Sequence, residues 1–396
     1  MLKELLGSSL PVDADSGERS ARVFDFVARW VFSEPMRNLL EEFGETLPAR
    51  GAIPEAPEGD GEFLTGKEFP SWLAGVVRGT AAHAFLTPEQ LDTLRRMVAA
   101  EQVAAELFDF RGRGAKGYRE RHHAAVADFS EDRRKIVREI TAQLGLVDPS
   151  VPRYTRYDKT LILGGGYNSP QLRSKYASQL AERHNLGELY FLGSPRFLLA
   201  EPPEAAAVEY YAPAARDEFD LMLGAAVHEF PLKAANPVFV CGCSRTDVLC
   251  PNWVSLFGEP GDTPFAYTHE RIADLHGPEG EARGLVLSAH TSQPPNRPDT
   301  SDTFALWTKV AEPRHAERVL IVTAQVFVPF QAFDGVRRLY LPHGLEVDAV
   351  GFGEGWKERT LTAEYLLQET LSAIRSARRL LVDAAGVLRD EEPLGG

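Results

Sequence analysis

The chain has 396 residues and is 44% hydrophobic, which is enough to bury a sizeable core and excludes disorder along its whole length. Its formal charge of −14, from 57 acidic against 43 basic residues, repels a phosphate backbone and excludes nucleic acid as a general partner. The longest strongly apolar stretch, Val319 to Phe330, is far short of the roughly 20 residues that span a bilayer, and Met1 to Pro11 lacks the pattern of a secretion signal, so the expectation is a soluble, cytoplasmic protein with no membrane partner.

The first 150 residues read as helical. "SGERSARVFDFVARWVFSEPMRNLLEEF" places Val23, Phe26, Val27, Trp30 and Val31 on one helical stripe. "TPEQLDTLRRMVAAEQVAAELF" predicts a helix capped by Thr87, with Pro88 at its first position and Gln90 completing a capping box. A third helix is expected after Ser130, ending near Gly145. The basic, glycine-rich "RGRGAKGYRERHH" between them is read as a solvated connector. "LVDPSVPRY" has the proline and aspartate content of a linker and divides the chain into residues 1–150 and 151–396.

Beyond the linker come "KTLILGG", "ELYFLGS", "NPVFVCG", "RGLVLSAH" and "RVLIVTA". Unalternating apolar runs of this kind suit strands covered on both faces, so the second domain is expected to be an α/β, three-layer domain with a mainly parallel sheet. The final amphipathic stretch, "TAEYLLQETLSAIRSARRLLVDAAGVL", is expected to pack on that sheet. Cys241, Cys243 and Cys250 form an odd, clustered set whose spacing matches no common zinc pattern, so buried thiols and no metal are expected.

In an open α/β sheet ligands bind beyond the carboxyl ends of the strands. The candidate cofactor-binding residues are therefore those that end the apolar runs. Gly164, Gly165 and Gly166 precede Asn168, with Ser169 expected as a helix cap, and backbone N–H groups there would favour an anion. No complete dinucleotide or phosphate-loop motif is present, so the same residues also suit a plain turn. Gly193, Ser194 and Arg196 end the second run, and Glu218 and Asp220 stand at a helix start, where acids also suit the macrodipole. His290 ends the fourth run as a candidate general base, with a hydrogen-bonded structural histidine as the plain alternative. "DTSDTF" offers Asp299 or Thr300 as a cap, and Glu218 and Asp302 are expected to reach one pocket.

In their order, "LILGGG", "ELYFLGS", "RDEFDLM", "PDTSDTFAL" and "RVLIVTAQVFVPFQAFDGVRRL" resemble the YdcF/SanA-like family of bacterial α/β proteins, over roughly residues 158 to 385. The resemblance implies a Rossmann-like fold and a nucleotide-type ligand. Carried over by position, it implies a pocket lined by Gly164 to Gly166, Gly193, Ser194, Glu218, Thr300, Asp302 and Thr323, with Gln325 and Phe327 in the segment that follows the last motif's strand. Asp302 stands where the family has Glu and Thr303 where it has Asn, while Phe327 and Phe330 stand where it has His and Arg. The implied pocket is thus less cationic and more aromatic than the family's.

The leading expectation is a soluble enzyme that binds a nucleoside-containing small molecule, S-adenosylmethionine first, with Glu218, Asp302 and His290 as catalytic candidates and the substrate entering between the helical and α/β domains. The rivals are a hydrolase or transferase of a phosphorylated or activated metabolite, and a ligand sensor without catalysis.

Overall fold

The computed structural model describes residues 10–51, 70–81, 84–110, 126–196, 198, 208–213, 215–241, 269–292, 298–356 and 360–391. The basic connector 111–123, Cys243, Cys250 and the side chain of Cys241 lie outside the described residues. Contacts divide the chain into two units, one of residues 1–150, 325–346 and 353–396, the other of residues 151–324 and 347–352. These extents differ from the expected division at 150 alone, because two later segments group with the first unit.

The first unit is helical among its described residues. Local chemistry sets its helix starts: Asp15 caps α1 (Ser16–Val31), Ser33 caps α2 (Glu34–Glu42), and Thr87 with Gln90 forms a capping box on α4 (Pro88–Phe108). The stretch read as one apolar stripe is thus two helices, since Pro35 suits the start of a helix and not its interior. Between them in sequence order lie α3 (Ser71–Arg78) and, after α4, α5 (Glu131–Gln143), capped by Ser130. The last described helix, α10 (Ala363–Glu391), corrects the expectation that it covers the sheet: it packs on α1, α4, α5 and α9 (Val328–Gly335) of the first unit. Its leucine face is fully buried there, and Glu101 of α4 forms a buried ion pair with its Arg378. Phe333 of α9 meets Phe26 and Trp30 of α1 edge-on at 5.7 and 5.4 Å.

The second unit is a mixed α/β arrangement around an eight-stranded sheet in the order β3-β5-β6-β2-β1-β7-β8, with β4 also paired to β5. Its centre is parallel: β6 (Ala282–Ser288), β2 (Glu188–Gly193), β1 (Lys159–Leu163) and β7 (Arg318–Ala324). These four are apolar runs anticipated above. The fifth, "NPVFVCG", supplies β4 (Val238–Cys241), which is antiparallel to β5 (His269–His276). β5 also runs antiparallel to β6, to which the glycine-bearing turn at 277–281 joins it, and to the two-residue β3 (Lys233–Ala234). β8 (Glu346–Phe352) closes the other side.

Helices cover both faces. Ile162, Phe191, Val286, Leu320 and Val322 form one face of the core with Ala177 of α6 (Ser169–Ala181) and Phe219, Met222 and Ala226 of α7 (Glu218–Glu229). On the other, Tyr190 meets Trp307 of α8 (Thr300–Ala311) edge-on at 5.7 Å. β1 is followed by β2 on one side and is flanked by β7 on the other, so chain order reverses at β1. Among the described residues no helix is long and apolar enough to cross a membrane.

Candidate functional site

The carboxyl ends of β1, β2 and β6 bring small residues into one row. Gly193 pairs with Ser288, and Gly164 follows Leu163, which pairs with Leu192. Because β5 is antiparallel to its neighbour, its first residues arrive at this same edge, and Arg271 pairs with Ser288. Gly164, Gly193, Ser288 and Arg271 therefore run across the edge, and the first turn of α7 sits on them.

Two glycines make that seat. A Cβ on Gly164 would fall 2.0 Å from Glu218 Oε1 and 2.6 Å from the Leu192 carbonyl oxygen, and one on Gly193 would fall 3.2 Å from the Phe219 Cα. Gly164 is thus required for space: its backbone φ is not positive, so the turn itself is open to other residues. By sequence the glycine turn suits a ligand cradle or a plain turn, and the structure shows a third role, a bed for a carboxylate. Gly165 is also confined, with its Cβ position 3.0 Å from Ser169 Cβ, whereas Gly166 faces open space.

Glu218 is buried, and its Oε2 accepts from Ser194 Oγ at 2.6 Å. Ser194 Oγ in turn accepts from the Arg196 N–H at 3.3 Å, while the Glu218 N–H donates to the Arg196 carbonyl at 2.9 Å. Burial pushes the Glu218 carboxyl up. The Ser194 bond and the charges of Arg196 and Arg173 pull it back in part, and the charge of Asp217 adds to the rise. Arg173 donates to the carbonyls of Leu163 and Gly164, so it braces the glycine turn from α6. A buried carboxyl raised above its ordinary range and holding a serine hydroxyl is a candidate for giving or taking a proton.

Asp217 caps α7 by accepting from the Asp220 N–H at 3.0 Å and forms a buried ion pair with Arg271, which also reaches Asp220 at 3.2 Å. The guanidinium lies 4.1 Å over the Phe219 ring. Burial, opposed by Arg271 and reinforced by Asp220, moves the Asp217 carboxyl from 3.8 to about 6.

A second group occupies the same edge. His290, two residues past β6, has Nδ1 2.5 Å from Oε1 of the buried Glu270, the second residue of β5. Lys309 of α8 lies 3.9 Å from the other oxygen of Glu270.

Other expected site residues have different places. Asp302 accepts from the Asp299 and Ser292 N–H groups, both at 3.0 Å, and so completes a capping box on α8. Glu218 and Asp302 accordingly have separate partners. Asp299 is the cap and Thr300 the first helical residue. Asn168, not Ser169, is the cap of α6, and it makes no side-chain cap bond. Thr323 is fully buried on β7, its hydroxyl without a partner among the described residues. Gln325 accepts from the Ser150 N–H at 2.8 Å and donates to the Gly145 carbonyl at 2.6 Å, and Phe327 lies 6.5 Å from the Tyr365 ring. Both group with the first unit.

Arg173, Asp217, Arg271 and Glu270 were not foreseen. Asp217 was open to inference, because "RDEFD" puts a capping Asp three residues before an acid at the third helical position. "HERIADLH" lacks the unbroken apolar run of the central strands, so Glu270 and Arg271 carry no strand signal of their own.

No family model and no solved structure matches the chain. The uncharacterized protein Rv3785 of Mycobacterium tuberculosis and the uncharacterized protein Mb3814 of Mycobacterium bovis are each 32% identical to it over 262 residues, covering 64% of this chain and 68% of theirs.

Proposed function

The chain belongs to the same family as these mycobacterial proteins, and from that premise we propose that it is an enzyme acting on a small molecule at the carboxyl edge of its sheet, with Ser194 and Glu218 as the acid–base pair. The observation that carries the reading is the buried Glu218 carboxyl, raised by desolvation and held 2.6 Å from Ser194 Oγ at the ends of parallel strands. A buried acid without function is a cost to folding, and one that also needs a glycine beneath it is a cost twice over.

Within this proposal the resemblance to the YdcF/SanA-like family and a Rossmann-like nucleoside site supply the ligand class, and S-adenosylmethionine is the first candidate. Its sulfonium would be attracted to a carboxylate at Glu218. A phosphorylated metabolite is the second reading, favoured by Arg173 and Arg196 beside Glu218. It ranks lower because Arg173 already serves the Leu163 and Gly164 carbonyls.

The test is a thermal-shift series with adenosylmethionine, its demethylated product and common nucleotides, in which a ligand at 100 times its Kd adds about 2.7 kcal/mol of stability. The expected result is a shift with the adenosyl compounds that Glu218→Gln weakens. A shift with phosphates alone selects the second reading. Retained binding in Glu218→Gln with no turnover to lose identifies a sensor.

A further inference from the structure

The ends of β2 and β6 are adjacent, with Gly193 paired to Ser288, so Ser194 and His290 lie one and two residues beyond neighbouring positions. At the first stands the Ser194–Glu218 pair. At the second, Glu270 is buried while the imidazole it holds is 47% exposed. A carboxylate can only accept, so the proton of a neutral His290 belongs on Nδ1, facing Glu270, and the lone pair on Nε2. Nε2 has no partner among the described residues. Lys309 is a loose second neighbour of Glu270, 3.9 Å away and 71% exposed, so the short bond to His290 is the one that sets the geometry.

We propose that Glu270 is the positioning residue of a carboxylate–imidazole pair in which His290 Nε2 accepts a proton from a small molecule bound at this sheet edge. The inference rests on reading the edge as an acid–base site. The proton leaves an O–H, N–H or activated C–H of the ligand for Nε2, and Glu270 balances the imidazolium that forms. The Ser194–Glu218 pair stands with α7, on the face of the sheet opposite to Glu270 and Lys309, and keeps its own acid–base role.

The test needs no ligand. Nitrogen–proton NMR of the full chain at alkaline pH, with the His290 signals assigned by loss in His290→Gln, is expected to show the Nδ1–H tautomer in the wild type and the Nε2–H tautomer in Glu270→Ala. Acylation by diethyl pyrocarbonate, located by mass spectrometry, is expected to slow at His290 on the order of tenfold in that variant, with the exposed His228 as an unaffected control. Should Glu270→Ala fail to fold, the tautomer of the wild type remains decisive and Glu270→Gln takes its place in the acylation. An Nε2–H tautomer in the wild type, or an unchanged acylation rate in the variant, overturns the inference. Neither result depends on the adenosyl screen, so the two proposals fail separately.

Discussion

Gly164 and Gly166 are two residues apart and opposite in their tolerance. An added methyl at Gly164 meets the Glu218 carboxylate and the Leu192 carbonyl, and the latter is backbone that cannot swing aside. Gly164→Ala is expected to cost about 1–3 kcal/mol, the range for overpacking, whereas Gly166→Ala is expected to stay within about 0.5 kcal/mol, both read from urea unfolding. Glu218 gives a prediction in pH. Because its folded carboxyl is raised, the folded state keeps a proton that the unfolded state has already released, and stability falls as pH rises from the ordinary carboxylate range through the raised folded value. Glu218→Gln removes that proton uptake. Its urea midpoint relative to wild type is therefore expected to increase as pH rises across that window, with no such trend at the acid end. Asp217, raised from 3.8 to about 6, adds a fall of the same sign and stays in the variant.

At the scale of the element, Arg271 ties down the start of α7 through Asp217 and Asp220. Arg271 and Asp217 are both nearly inaccessible, so Arg271→Ala leaves a buried carboxylate without its partner, and a loss of about 3–5 kcal/mol is expected in urea unfolding. Amide exchange over Glu218–Glu229 is the local check, since the start of that helix should open first. The cap of α8 is exposed and cheaper: Asp299→Ala is expected to cost about 1 kcal/mol. Helix starts were the most legible features in the sequence, because Thr87, Ser130 and Pro88 act within one turn of chain. The apolar runs of β1, β2, β6 and β7 were legible for a similar reason, as strands covered on both faces. β5 was not, because "HERIADLH" owes its place to β4 and β6 on either side and carries charges that are buried only through distant partners. The site inherited that blindness. The residues read off strand ends, Gly164, Gly193 and Ser194, come together with Glu218, read off a helix start, and Arg271, which pairs with the first turn of that helix, lies near the start of β5.

On the scale of the whole molecule, the first unit draws on three separated stretches of chain. Its helices α1, α4 and α5 each pack on α10, at the far end of the sequence. A chain ending at residue 362 is expected to leave that unit without a stable fold, seen as a loss of helical circular dichroism well beyond the share of the 29 deleted helical residues. That arrangement also puts a clock on synthesis. Residues 1–150 leave the ribosome long before residues 363–391, and at about 5–20 residues per second the interval is roughly 10–50 s. During that time the apolar faces of the early helices have no permanent cover. A cell making this protein therefore has to shield a half-built helical unit while the sheet that interrupts it is still being translated.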